Sequence, residues 1–185
     1  MRASSISAPA ASSLPGEQGV WVFVLIDMSF FCVLFASFVH ERAGAPDLFF
    51  RSQRSLDVHL GLINTVLLLT SSWLVALATD ASPGKPRGKI RSMLGMAVLC
   101  GGVFAAIKLV EYTTLIRVGI SPVTNDFFMF YFFISFIHLV HVLAGMVVLA
   151  LVRERSSLDS AATFWHMVDL IWVMIFPMLY LVSWR

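Results

Sequence analysis

The sequence predicts an all-α protein, an integral membrane bundle of five transmembrane helices. Three observations lead there. Of 185 residues, 58% are hydrophobic and only 13% are charged, which is too apolar and too charge-poor for a soluble domain. The apolar residues fall in five long runs, at about 18–40, 58–79, 92–113, 126–152 and 163–184. Each is close to the roughly 20 residues that cross a hydrocarbon core as a helix. No run alternates at period two over barrel-like lengths, so the backbone must satisfy itself as helix. A net charge of +2, without a basic run interleaved with aromatics, points to no nucleic-acid partner.

Residues 1–15, rich in Ala, Ser and Pro, are predicted to be a disordered N-terminal tail, with 16–185 forming one five-helix membrane domain. The run from Gly19 past Val39 is too long for a signal peptide and is expected to stay as span 1. Span 2 is stopped by Pro83 and Pro86. Its Asn64, Thr65, Thr70, Ser71 and Ser72 are suited to hydrogen bonding across helices. Span 3 holds Gly101-x-x-x-Ala105 and Gly102-x-x-x-Ala106, spacings that permit close helix approach. Span 4 opens on Thr124-Asn125-Asp126, a capping sequence with acidic charge where the helix dipole favours it. Span 5 contains Pro177, which is expected to kink it. Trp21, Trp165 and Trp184 fall near span ends and are expected at the membrane interface. Cys32 and Cys100 lie in apolar runs without a CxxC and read as small buried hydrophobes.

Loop charges set the orientation. Arg2, Lys85, Arg87, Lys89, Arg91, Arg153 and Arg155 gather on one side, against Arg42, Arg51, Arg54, Arg117 and Arg185 on the other. The positive-inside rule then puts the N-terminus in the cytoplasm and the C-terminus outside.

Ionisable groups inside the spans are costly and mark the candidate site: Asp27, Lys108, Glu111, His138, His141, His166 and Asp169. At about 1.5 Å per residue, Asp27 and the His138-x-x-His141 pair both fall near mid-membrane, so Asp27 can meet one of these histidines. Lys108 and Glu111 fall near the outer end of span 3, where they would pair and reach the interface. His166 and Asp169, three apart near the inner end of span 5, read as an inter-helix pair. Span 4 would be a polar spine with Asp27 on one side and the span 5 pair on another. No HExxH, Cys/His cluster or Glu-x-x-His is present, so no metal or catalytic site is expected. Two rival readings stay open. One is a small b-type haem electron-transfer protein using His40/His59 and His141/His166. The other is a proton-conducting bundle built around Asp27.

Several stretches also carry a resemblance. Leu14 to Phe31, Leu62-Ile-Asn64-Thr65 with the residues that follow, Lys108-Leu-Val-Glu111-Tyr112, His138-x-x-His141-Val-x-x-Gly145 and Phe164-Trp165-His166-x-Val-Asp169-x-x-Trp172 resemble, in order, the helices of the five-helix form of haem–copper oxidase subunit III. Thr124 to Phe132 and Ile175 to Tyr180 resemble the NorE-like branch associated with nitric oxide reductase. The resemblance implies a non-catalytic accessory subunit with no cofactor of its own. Haem and copper or non-haem iron would sit in a haem-bearing catalytic subunit I, its partner. It further implies bound phospholipid and support of proton uptake. By position, Asp27 matches the acidic site of the family's first core helix, where seven-helix members usually carry Glu. Glu111, His138, His141, His166 and Asp169 match other polar positions.

Overall fold

The computed structural model describes residues 18–80, 86–152 and 155–181. The predicted tail, Pro83, Lys85, Arg153, Trp184 and Arg185 lie outside the described residues. Six α-helices follow in order: α1 (Gln18–Gly44), α2 (Pro46–Gln53), α3 (Val58–Thr79), α4 (Arg87–Arg117), α5 (Asp126–Leu151) and α6 (Arg155–Phe176). A π-helical turn, Pro177–Leu181, continues α6. No strand occurs among the described residues. Five helices are long and apolar enough to cross a membrane, with α2 the exception.

α3, α4, α5 and α6 form a closed ring, because α3 packs on α4, α4 on α5, α5 on α6 and α6 back on α3. α1 lies outside the ring, against α6 and α5. In its most apolar stretch only 17% of α1 is buried, against 56% for the α6 span, so α6 is the central helix and α1 the peripheral one. Trp165, Trp172, Tyr131 and Phe104 fill the ring's interior. Outward residues such as Val22, Leu99, Val147 and Leu170 are apolar and exposed, as a lipid-facing surface requires.

Helix ends have local causes. Asn125 caps α5, its Oδ1 accepting from the Phe128 amide at 3.0 Å. Its Nδ2 donates to Ser52 Oγ at 3.0 Å and so ties α2 to α5. Asp57 caps α3, accepting from the His59 amide at 2.8 Å. α4 stops at Gly119, whose φ of +83° suits only glycine. There the Ile120 amide reaches back to the Leu115 carbonyl at 2.9 Å and the Gly119 amide to Ile116 at 3.0 Å, a Schellman closure.

Five expectations are corrected. α4 extends well past the 92–113 run at both ends, because its terminal arginines can reach the polar boundary on long stems. α6 starts at Arg155, earlier than the 163 read from hydropathy, since its first turns are polar yet still helical. Trp165 is therefore inside the bundle with no exposed surface, away from the interface. Cys32 is exposed on the outward face of α1 and Cys100 is half-buried, so neither is a core hydrophobe. The loop read between spans 1 and 2 also contains α2, begun by Pro46 at a helix start, where proline is favourable.

Candidate functional site

α4 carries Lys108 and Glu111 on one face, three residues apart, and turns that face into the ring. Lys108 has no exposed surface and Glu111 has 4%. This corrects the expectation that they reach the interface: α4 runs on to Arg117, so Lys108 lies about two and a half turns and Glu111 more than one and a half turns inside the helix end. All three ammonium donors of Lys108 are used. Nζ donates to Glu111 Oε2 at 2.8 Å, to the Tyr180 hydroxyl at 3.0 Å and to the Tyr131 hydroxyl at 3.1 Å. Tyr180 donates in turn to Glu111 Oε1 at 2.7 Å. The ammonium also lies 4.8 Å from the Tyr131 ring centre and 5.1 Å from that of Tyr112. Beside it, the Tyr112 and Ser135 hydroxyls share a hydrogen bond of 2.7 Å. The result is a neutral pair whose polar atoms are met within the bundle, which is what low dielectric demands. Tyr131 and Tyr180 were not singled out in the sequence. They stand 23 and 72 residues from Lys108, and nothing local links them to it.

The second cluster joins α1 to α5. His141 Nε2 is 3.1 Å from Asp27 Oδ1. His141 Nδ1 is 2.8 Å from the carbonyl of Ile137, one turn back. A carbonyl only accepts, so Nδ1 carries a hydrogen. Both ring nitrogens of His141 are thus engaged, Nδ1 within α5 and Nε2 across to α1. Asp27 is 9% exposed, in a mainly apolar stretch of α1. Phe31, one turn on, stands edge-on to the His141 ring at 5.6 Å and closes that side.

His138, on the same helix, faces elsewhere. It is fully buried, stacked on Trp172 at 5.2 Å and edge-on to Phe104 at 5.7 Å. Neither of its ring nitrogens has a hydrogen-bond partner among the described residues. Sequence spacing placed both histidines on one face, and the structure divides them, His141 toward α1 and His138 into the ring.

The third cluster corrects the expected spine. His166 and Asp169 do not pair with each other, and they meet α3 rather than α5. His166 Nδ1 bonds the Ser72 hydroxyl at 2.7 Å. Asp169 is buried, neither carboxylate oxygen has a hydrogen-bond partner among the described residues, and Ser72 is the hydroxyl beside it. Further along the same interface, Trp172 Nε1 donates to Thr65 Oγ1 at 3.0 Å. Ser71 donates to the Ala97 carbonyl of α4 at 3.0 Å. Thr65, Ser71 and Ser72 thus bridge α3 to both of its neighbours, whereas Thr70 bonds the Val66 carbonyl of its own helix and buried Asn64 has no side-chain hydrogen-bond partner among the described residues.

For the haem reading, His141 has both ring nitrogens engaged and His166 is bonded to Ser72, while His40 and His59 are exposed at helix ends. Among the described residues no three His, Cys, Asp or Glu side chains converge as a metal-binding group.

No protein-family model matches the chain. It is similar along most of its length to curated proteins. One is the cytochrome bo(3) ubiquinol oxidase subunit 3 of Pseudomonas aeruginosa, 28% identical over 179 residues that cover 89% of this chain and 84% of the relative. Another, of the same name, is from Buchnera aphidicola, 27% identical over 177 residues, with 88% and 89% covered. A probable quinol oxidase subunit 3 of Staphylococcus epidermidis is 26% identical over 185 residues, with 90% and 89% covered. The relatives are subunits of oxidase complexes, and none of the three names is that of a nitric oxide reductase.

Proposed function

We propose that this chain is subunit III of a haem–copper oxidase complex in a bacterial membrane, a non-catalytic helical subunit that docks on a haem-bearing catalytic subunit I. The observation that carries it is similarity to oxidase subunits 3 across almost nine-tenths of both partners' lengths. The geometry supports an accessory role. The intramembrane charged groups Lys108, Glu111, Asp27 and His141 bond one another, as holding a fold together requires. The relatives' names favour a quinol-linked oxygen reductase. A nitric oxide reductase complex is the second reading, carried by the Thr124–Phe132 and Ile175–Tyr180 stretches. The N-terminus lies in the cytoplasm on this reading, and haem and copper belong to the partner. Asp27, buried where α1 meets α5, is the residue through which proton uptake or lipid contact would act.

The test is purification of a tagged chain from its native membrane in mild detergent, with the absorption spectrum and mass spectrometry of what co-elutes. A haem-bearing catalytic subunit in fixed ratio is the expected result, and its identity separates oxygen from nitric oxide reduction. With Asp27→Ala, His138→Ala or His141→Ala, the haem band of the complex should stay intact while its yield or sustained turnover falls. A Soret band on the chain alone, lost with the histidines, would overturn the proposal in favour of the b-type cytochrome.

A further inference from the structure

We infer that the interior of the ring binds one ordered water molecule, held between the Asn64 amide of α3 and the His138 imidazole of α5. Nine buried side-chain nitrogen and oxygen atoms have no hydrogen-bond partner among the described residues, and seven of them belong to four residues of the ring helices: Asn64, His138, Trp165 and Asp169. Folded proteins leave few such atoms, because a buried donor or acceptor without a partner forfeits the hydrogen bonds it made in water. Their gathering in one interior points to a ligand there that both donates and accepts. Asn64 and His138 have no exposed surface, so neither lipid nor bulk solvent meets them.

Packing puts the two side chains in one layer. Ser71 bonds the Ala97 carbonyl across the antiparallel pair α3 and α4. About two turns along each helix from that contact, on the face Ser71 shares with it, Asn64 comes level with Phe104. Phe104 stands edge-on to His138 at 5.7 Å and to Trp172 at 4.8 Å. Trp172 is stacked on His138 and donates to Thr65, the residue next to Asn64. The layer thus takes one or two side chains from each of the four ring helices. Chemistry selects the ligand. The Asn64 amide has an oxygen that only accepts and a nitrogen that only donates, and a neutral imidazole has one donor and one acceptor. A cation would leave the amide hydrogens unmet and an anion would leave the amide oxygen unmet. Water answers both kinds at once and makes the three or so bonds usual for a buried molecule. It also links α3 to α5, the two helices that face each other across the ring.

The test uses the full chain in phosphatidylcholine bilayers, with asparagine and histidine side chains labelled with nitrogen-15. Magic-angle-spinning NMR then passes magnetisation from water protons to the labelled nitrogens. Asn64 and Asn125 are the only asparagines, so Asn125→Ser, which keeps a capping hydroxyl on α5, leaves the Asn64 amide as the sole signal of its kind. His138→Phe identifies the His138 signals by their loss. In the unaltered chain both the Asn64 amide and the His138 imidazole should receive magnetisation from water. Asn64→Leu should remove the transfer to His138, and His138→Phe should remove the transfer to Asn64. Thr70→Val, on the outward face of α3 where the hydroxyl bonds its own helix, should change neither. The unaltered chain decides the matter even where a variant fails to fold: absence of transfer to either side chain there overturns the inference. Transfer to His138 that survives Asn64→Leu, or that disappears with Thr70→Val, overturns it as well.

Discussion

Lys108 is the residue on which the interior depends most, because an ammonium with no exposed surface is tolerable only while its partners stay in place. Removing one member of a buried ion pair typically costs about 3–5 kcal/mol, since the other is left uncompensated, whereas replacing both with apolar groups can be close to neutral. Lys108→Met and Glu111→Leu should therefore each lower the melting temperature of the detergent-solubilised protein sharply, and the double variant should be more stable than their sum predicts. Additive losses in that double-mutant cycle would mean the two groups do not act as a pair. The pairing itself was legible from the i, i+3 spacing. Its depth was not, because hydropathy ended the span near residue 113 while Gly119 ends the helix. The tyrosines were not legible either. A phenol 72 residues away reaches Lys108 because the helix from Pro177 widens into a π-helical turn that carries Tyr180 inward.

At the scale of elements, the approach of α5 to α6 turns on Gly145. A Cβ there would stand 2.7 Å from Cε3 of Trp165, a rigid ring with no exposed surface and no room to retreat. Gly145→Ala should cost about 1–3 kcal/mol by overpacking. Gly102→Ala, whose Cβ would meet only the Met146 methyl at an ordinary 3.7 Å, should be neutral or slightly stabilising, since alanine is the better helix former. Thermal unfolding of the two variants side by side is the check, and similar behaviour would contradict the close contact. Sequence spacing made Gly101 and Gly102 equal candidates for helix contact. Only the facing of α4 separates them: Gly101 is buried against Met146 and Trp165, and Ala106, the partner of Gly102 in its spacing, is exposed. The same ignorance of facing sent His166 and Asp169 toward the wrong neighbour. Periodicity says which residues share a face but not which helix that face meets. It was enough for Asp27 and His141, where depth matching left few alternatives.

For the molecule as a whole, the five spans were legible because lipid imposes a length on every crossing, and no soluble fold reads that plainly. α2 was not, since eight residues beside charged loops give no comparable signal. The arrangement of one peripheral helix on a ring of four could not be read at all from outward-facing apolar runs that look alike. Sidedness is open to direct measurement. With Cys32 and Cys100 replaced by Ser, an impermeant maleimide applied to intact cells should label Val123→Cys in the loop before α5 and should reach Gly88→Cys only after lysis. Both positions are exposed. The reverse pattern would mean that a partner, and not the loop arginines, sets the topology.

The Lys108 cluster also has a consequence for biogenesis. Glu111 emerges from the ribosome with Lys108, but Tyr131 arrives a helix later and Tyr180 only with the π-helical turn after α6. α4 must enter the bilayer holding a cation whose coordination is incomplete, shielded at first by its own carboxylate alone. The closing of that coordination therefore reports that α4, α5 and α6 have been delivered and brought together. Until then α4 holds an incompletely coordinated cation in the lipid.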